Sequence, residues 1–503
     1  MEKILTFDVG TTAIKTCVFD RDLQLCAIRT DEYDLHTQGG VVELPPDIYW
    51  QTMCAAVEAI GQELELSDIR AMCLTTQGET MIPVDAAGNA LHNAVVWLDD
   101  RAKDQAQQIS EAITPEELYR LTGVTDMNGF VPLAKLLWFR QAQPELYEKT
   151  HKFLLLEDYL ICRLTGKFVT EKSLLTSTAW YDIRNDKYMT ELLETLSLSE
   201  EKLPQILECG ALAGTLQPSA VADLGLQADV QVFAGAMDQI AAAIGGGGLQ
   251  GGVVTATIGT AMVLTSAISS MDDCDDRTLI VYRGAREGQY VLLPLCNTAG
   301  AVFKWYKDQC AALDAAKCKE TGEDVYDRLC REASQSQPGA DGVTMLPYFA
   351  GSMQPNLVPE AKGVFYGLGL GTGHKDMTRA VLESIGYMLR ENLEMLERFG
   401  KRPEKVHFFG GGSKNPIWNQ IIADITGVEL VLLEQSECGS LGAAMLGAVR
   451  MGWYDTLAQA QKKNTVKTVV KPDPALRPAY DIAYRRYVNL LNTMIPMMKG
   501  DSL

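Results

Sequence analysis

In the stretch KILTFDVGTTAIKTCVFD (3–20) a β-type run ends on Asp8, and Gly10, Thr11 and Thr12 follow it. An aspartate at a strand end offers the hard oxygen a cation prefers, and a Gly-Thr-Thr turn presents N–H and O–H donors to phosphate. The same residues also make an ordinary tight hairpin turn. A second stretch, GGVVTATIGTAMVLTSAI (251–268), repeats the design with Gly259, Thr260 and Ala261 at its turn. The repeat predicts two similarly folded domains, each presenting one phosphate loop, facing each other across a cleft and holding the tail of a nucleoside triphosphate.

The elements that must position these residues alternate along the chain, strand-like then helix-like, which predicts α/β layers of helices on mixed sheets. Strands are expected at AVVWL (94–98), DVQVFAGA (229–236) and KVHFFGGG (405–412). Apolar residues at three- and four-residue steps behind Asp376 predict a long buried helix over 376–396. The run GGGGLQGG (245–252) stops the helix of DQIAAAI and reads as a hinge, dividing the chain into domains 1–246 and 247–503. Residues 246–251 match G-x-G-x-x-G but follow a helix and not a strand, so a dinucleotide fold is rejected. The stretch 480–495 reads as an amphipathic helix packing on its own domain, with a homodimer interface as the alternative.

A chain of 503 residues is too long for one ordinary core. A net charge of -20 argues against nucleic acid or an anionic membrane as partner and favours a small neutral substrate. No apolar run reaches the length of a membrane span, and the start lacks the pattern of a secretory signal. Twelve cysteines without a C-x-x-C pair predict neither a disulfide framework nor a zinc site and suggest a reducing cytoplasm. The five histidines show no metal-ligand spacing and read as core or surface residues.

Four further segments carry a resemblance: DYLICRLTGKFVTEKSLLTSTAWYD (158–182), GAMDQIAAAIG (235–245), AKGVFYGL (361–368) with TRAVLESIGYMLREN (378–392), and FFGGGSKNPIWNQIIADITG (408–427). In this order they resemble the signature segments of the FGGY carbohydrate kinases, nearest in pattern to xylulose, glycerol and polyol kinases. The resemblance implies two actin-like (RNase H-like) α/β domains around a central nucleotide and sugar cleft, and an ATP- and magnesium-dependent sugar or polyol kinase.

Carried over residue by residue, the resemblance implies that Asp238 is the general base for the substrate hydroxyl, with the N-cap of the following helix as its plainer role. The helix N–H groups are expected to keep its carboxylate ionised. Asp8, with Asp238, is implied as the magnesium site. Gly10, Thr11 and Thr12 resemble the first phosphate loop and Gly259 with Thr260 the second, while Lys15 reads equally as phosphate contact or solvated strand residue. Gly411, Gly412 and Asn415 resemble the adenosine-binding turn, in which Asn415-Pro416 opens a helix that Gly427 stops.

Gln77, Gly78, Glu79 and Thr80 occupy the family's sugar-contact segment, where Gly78 replaces the arginine of the glycerol kinase pattern N-Q-R-E-T. The xylulose kinase pattern G-Q-M-H-G is matched only at the glutamine. Trp97, Asp99, Arg101 and Gln239 are implied to line or brace the sugar site. Leu44 and Pro45 depart from the family's usual E-Q-D-P. The substrate read from this pattern is a ketopentose such as xylulose, with an erythritol- or glycerol-type polyol as the alternative. An actin-like switch ATPase or a non-catalytic sugar sensor stands as the reading from another class.

Overall fold

The computed structural model describes residues 2–250, 252–272, 274, 277–400 and 402–500, so Gly251 of the glycine run lies outside the described residues. The chain packs into two units that are not contiguous in sequence. The first takes 1–247, 268–291 and 437–464; the second takes 248–267, 292–436 and 465–503. The first crossing follows residue 247, one past the expected cut after 246, and the chain then returns to the first unit twice. Among the described residues, no helix is long and apolar enough to cross a membrane.

The first unit is built on a six-stranded sheet in the order Leu212–Thr215, Gln231–Met237, Ile69–Thr76, Lys3–Val9, Ala13–Asp20, Leu25–Glu32. The three middle strands of this series, Gln231–Met237, Ile69–Thr76 and Lys3–Val9, run parallel, while the flanking pairs are antiparallel. Strand Lys3–Val9 is buried on both faces, as a strand covered by helices on each side must be. Its alternation sorts the faces: Leu5, Phe7 and Val9 join the apolar cluster with Trp50 and Tyr159, while Ile4 approaches Gly447 of helix Cys438–Arg450.

On that second face, helices Asp238–Gly245 and Cys438–Arg450 meet backbone to backbone. A Cβ on Gly442 would lie 1.8 Å from the Ala241 carbonyl oxygen, and one on Gly245 would lie 2.0 Å from that of Cys438. Only glycine permits this approach, and it fixes the helix that begins at Asp238.

The second unit repeats the core pattern. Its sheet runs Met262–Ile268, Val254–Ile258, Lys405–Phe409, Glu429–Leu433, Val466–Val470. Val254–Ile258 pairs antiparallel with its hairpin partner and parallel with Lys405–Phe409, as Lys3–Val9 does with Ala13–Asp20 and Ile69–Thr76. The long helix spans His374–Leu396, with Asp376 accepting from the Gly373 N–H at its start. The last helix, Arg477–Met498, buries Tyr480, Ala483, Tyr484, Tyr487 and Leu491 within this unit, a helical stripe.

The expected strand at 94–98 shortens to Ala94–Val95. Trp97 leaves the ladder because its N–H goes to Thr80 Oγ1, at 3.2 Å. Among the described residues no disulfide joins the cysteines; Cys26 and Cys310 are exposed, Cys54 is half-buried and the others are buried.

Candidate active site

Three parallel strands of the first unit deliver the candidate residues to one level. Asp8 is in register with Thr75, Val9 with Thr76, and Met237 with Thr76. Asp8 therefore stands on one side of the central strand's carboxyl end and Asp238, the residue after Met237, on the other. Gln77 to Thr80 continue from that central strand. Carboxyl ends of parallel strands are where open α/β sheets hold their ligands.

Asp238 is the first residue of helix Asp238–Gly245 and Met237 is its N-cap, so the capping role does not fall to the aspartate. The strand before it is held by buried acids: Glu157 accepts from the Gly235 N–H at 2.9 Å, and Glu171 accepts from Ser173 Oγ, which itself accepts from the Met237 N–H at 3.0 Å. The expectation that helix N–H groups keep Asp238 ionised is corrected. Burial, joined by the charge of Asp8, pushes its carboxyl up to about 7, and the opposing hydrogen bonds from Gln239 are outweighed. Burial likewise raises Asp8 to about 6, against the pull of Lys15. The helix Cys438–Arg450 leaves room for Asp8 at Gly439, where a Cβ would lie 2.7 Å from Asp8 Oδ2.

Lys15 ion-pairs with Glu437 at 2.6 Å, a partner 422 residues away in sequence. It is thus more than a solvated strand residue. Trp97 donates from Nε1 to Thr11 Oγ1 at 3.0 Å, joining the expected sugar segment to the first hairpin turn. Asp99 is fully buried, accepts from the Val42 N–H at 2.6 Å and holds Arg101 through both oxygens, at 2.7 Å each. Arg101 also reaches Glu43 at 2.6 Å, so this pair braces the segment.

Glu79 adopts a left-handed backbone, φ 67, which is costly for a residue with a side chain and held only by its surroundings. One such restraint is Lys135, fully buried, whose ammonium donates to the carbonyl of Val96 at 2.9 Å and reaches those of Glu79 and Trp97 at 3.5 Å. Burial lowers the Lys135 pKa and raises that of Glu79, each offset in part by the other's charge. The sequence analysis missed Lys135; its only local signal is a lysine inside the otherwise buried run of helix Pro132–Ala142. Ser177 and Tyr282 were missed as well. Ser177 stands close enough to act on Glu79 and Tyr282, and Tyr282 is raised by burial and by the charge of Glu79.

In the second unit, the five candidate nucleotide residues Gly259, Thr260, Gly411, Gly412 and Asn415 line one cavity of about 920 Å³. The Gly259 and Thr260 carbonyls accept from the Gly300 and Ala301 N–H groups, which anchors the hairpin turn to helix Gly300–Cys310. Asn415 caps helix Pro416–Thr426 by accepting from the Ile417 and Trp418 N–H groups, and it donates to Asp327 at 2.7 Å. Gly427 ends that helix with φ 70. Phe303, Trp305, Tyr326 and Trp418 also line the cavity, an aromatic lining suited to a base that the sequence analysis did not single out, with Phe303 edge-on to both Tyr326 and Trp418.

His374 departs from the core-or-surface expectation: it lies 3.2 Å from Glu332 and 3.7 Å from Asp314. Arg328, at 2.8 Å from Asp314, already supplies that carboxylate pair with a cation.

Residues 3–245 match the N-terminal domain of the FGGY family of carbohydrate kinases, and residues 256–451 match its C-terminal domain. The xylulose kinase of Escherichia coli (strain K12) is 28% identical over 493 residues, covering 98% of this chain and 99% of that protein. The gluconokinase of Bacillus licheniformis is 26% identical over 455 residues, covering 90% of this chain and 88% of that one. Among solved structures, the ligand-bound xylulose kinase from Lactobacillus acidophilus superposes with a TM-score of 0.90 at 25% identity, over 100% of both chains. The gluconate kinase from the same organism gives 0.89, also at 25% identity and full coverage.

Proposed function

Because the chain belongs to the FGGY family of carbohydrate kinases, we propose that it transfers the γ-phosphoryl group of magnesium-ATP to a hydroxyl of a ketopentose such as xylulose. The observation that carries this reading is the meeting of Asp8, Gln77 to Thr80 and Asp238 at the ends of three neighbouring parallel strands. Relatives named xylulose kinase, matching nearly the whole chain, support the choice of sugar.

In the reaction, the acceptor hydroxyl oxygen bonds to the γ-phosphorus while the bond from that phosphorus to its bridging oxygen breaks, and ADP leaves. The hydroxyl proton passes to an Asp238 carboxylate oxygen. Gln77 and Glu79 orient the acceptor, while Trp97, Asp99, Arg101 and Lys135 hold the segment that carries them. Gly10 to Thr12, and Gly259 with Thr260, donate to phosphate oxygens, and Gly411, Gly412 and Asn415 seat the adenosine against the aromatic wall.

Asp8 and Asp238 offer the hard carboxylate oxygens magnesium prefers, and two acids crowded together gain from a divalent cation. The ion, when bound, neutralises phosphate charge; positioning supplies most of the remaining rate.

The test is a coupled ADP-release assay with magnesium-ATP against ketopentoses, pentitols, erythritol, glycerol and hexuloses. Release that depends on one of these acceptors supports the reading. Release indifferent to all of them would favour a switch ATPase.

A further inference from the structure

Strand Gln231–Met237 leaves its regular ladder just before Asp238. Against Ile69–Thr76 its register shifts between Phe233 and Ala236, the mark of a bulge, a device that re-aims the residues beyond it. Gly235 lies in that bulge, so close to the central strand that a Cβ there would fall 1.5 Å from the Leu74 carbonyl oxygen. What regular pairing no longer fixes, side chains do: Glu157 accepts from the Gly235 N–H at 2.9 Å, Ser173 Oγ accepts from the Met237 N–H at 3.0 Å, and Thr75 Oγ1 donates to the Ala236 carbonyl at 2.7 Å. The Ser173 bond therefore holds the residue next to the proposed base.

The acids behind these bonds are placed differently. Glu171 accepts from the Ser173 and Leu174 N–H groups, and from Ser173 Oγ and Cys209 Sγ at 2.8 Å each. Four donors on one fully buried carboxylate are what a negative charge needs in a dry interior. Because the one Ser173 hydroxyl proton goes to Glu171, the Ser173 oxygen is turned to accept from Met237. Glu157, also fully buried, takes a single N–H at Oε1, and its Oε2 has no partner among the described residues. Burial and the charge of Glu171 push Glu157 well above the usual carboxylate range. Burial raises Glu171 as well, but there the four donors oppose it. Asp158, the third acid of the group, accepts from the Leu155 N–H at 2.9 Å and is pushed up as Glu157 is.

Resting on the kinase reading above, we infer that Glu171 and Glu157 are positioning residues for Asp238: ionised Glu171 turns Ser173 to receive the Met237 N–H, protonated Glu157 receives the Gly235 N–H, and the bulged strand end they hold sets where the base meets the acceptor hydroxyl. Both acids are fully buried and act through the main chain of residues 235–237.

The experiment measures kcat, both KM values and the urea midpoint of wild type, Ser173→Ala, Ser173→Thr, Glu171→Gln and Glu157→Gln with the best acceptor of the panel above. Ser173→Ala should lower kcat about tenfold with the acceptor and ATP KM values held within about twofold, and Ser173→Thr, which keeps the hydroxyl, should restore most of the loss. Glu171→Gln sets an NH2 group against main-chain N–H donors and frees the Ser173 hydroxyl to turn, so a fall in kcat of about the same size is expected. Glu157→Gln has the shape and charge of the protonated acid and should cost no more than about twofold. A lowered urea midpoint with unchanged kcat in Ser173→Ala would make the role structural only and overturn the inference. Equal falls in Glu157→Gln and Glu171→Gln would overturn the division of charge between the two acids. Should Glu171→Gln fail to fold, the two Ser173 variants decide the positioning role, and a Glu157→Gln fall as deep as that of Ser173→Ala would still refute a protonated Glu157. Wild type without acceptor-dependent turnover would overturn the kinase reading itself, and this inference with it.

Discussion

The two Gly-Thr hairpins share strand order, turn sequence and a parallel third strand, yet they differ in what surrounds the turn. Two residues ahead of Gly10 stands Asp8; two ahead of Gly259 stands Thr257. Around the first turn are carboxyls with raised affinity for protons and a tryptophan bonded to Thr11. Around the second are an open cavity and four aromatic side chains. Duplicating the scaffold therefore did not duplicate the charge. In the proposed reaction, one copy carries the acid that takes the proton and the other the cavity that holds the nucleotide.

The comparison breaks most sharply at Asp238. Asp238→Asn is expected to lower kcat by about a thousandfold while nucleotide binding, followed by calorimetry, stays within a factor of two. A variant that keeps most of its turnover would remove the division between the copies. In the second unit, Trp305→Ala should weaken nucleotide binding about tenfold and leave the sugar KM unchanged, since the loss is confined to the cavity wall. A change in sugar KM of similar size would count against the separation.

A backbone contact supports the charged copy alone. Gly442→Ala must push apart two helices whose main chains touch, so unfolding by urea should show a loss of about 2 kcal/mol, with a fall in kcat as the helix starting at Asp238 shifts. Unaltered stability would mean that the helices separate freely.

The smallest effect contrasts Asp238 with a buried acid that has no part in the reaction. Glu391, on helix His374–Leu396, is pushed up to about 7 by burial, against hydrogen bonds from Asn356, which donates to Oε1, and from Tyr348. Its folded-state value lies above the ordinary 4.5, so the protonated form stabilises the fold at low pH and that contribution is lost as pH rises through 7. Glu391→Gln should therefore raise Tm by about 2 °C at pH 8 and leave it unchanged near pH 4. An equal shift at both values would contradict a neutral Glu391 at low pH.

What could be read from the sequence was what is local. The two hairpins, the helix that starts at Pro416 and the stripe of the last helix follow from neighbours a few residues apart. Lys15 could not be assigned, because Glu437 joins it only through the fold. The same holds for Lys135, whose carbonyl partners lie on the segments of residues 79 and 96–97. The protonation of Asp238 was misjudged because the helix start is visible in sequence whereas burial and the approach of Asp8 are not. His374 shows the same limit: its acidic neighbours come from two other helices.

The exposure of two cysteines has a practical consequence. Cys26 lies in the first unit and Cys310 in the second, and these are the exposed ones. The wild-type chain thus offers one attachment point for a maleimide dye in each unit. A donor and acceptor placed there would report, by energy transfer and without any engineered cysteine, whether adding nucleotide or sugar changes the distance between the labels.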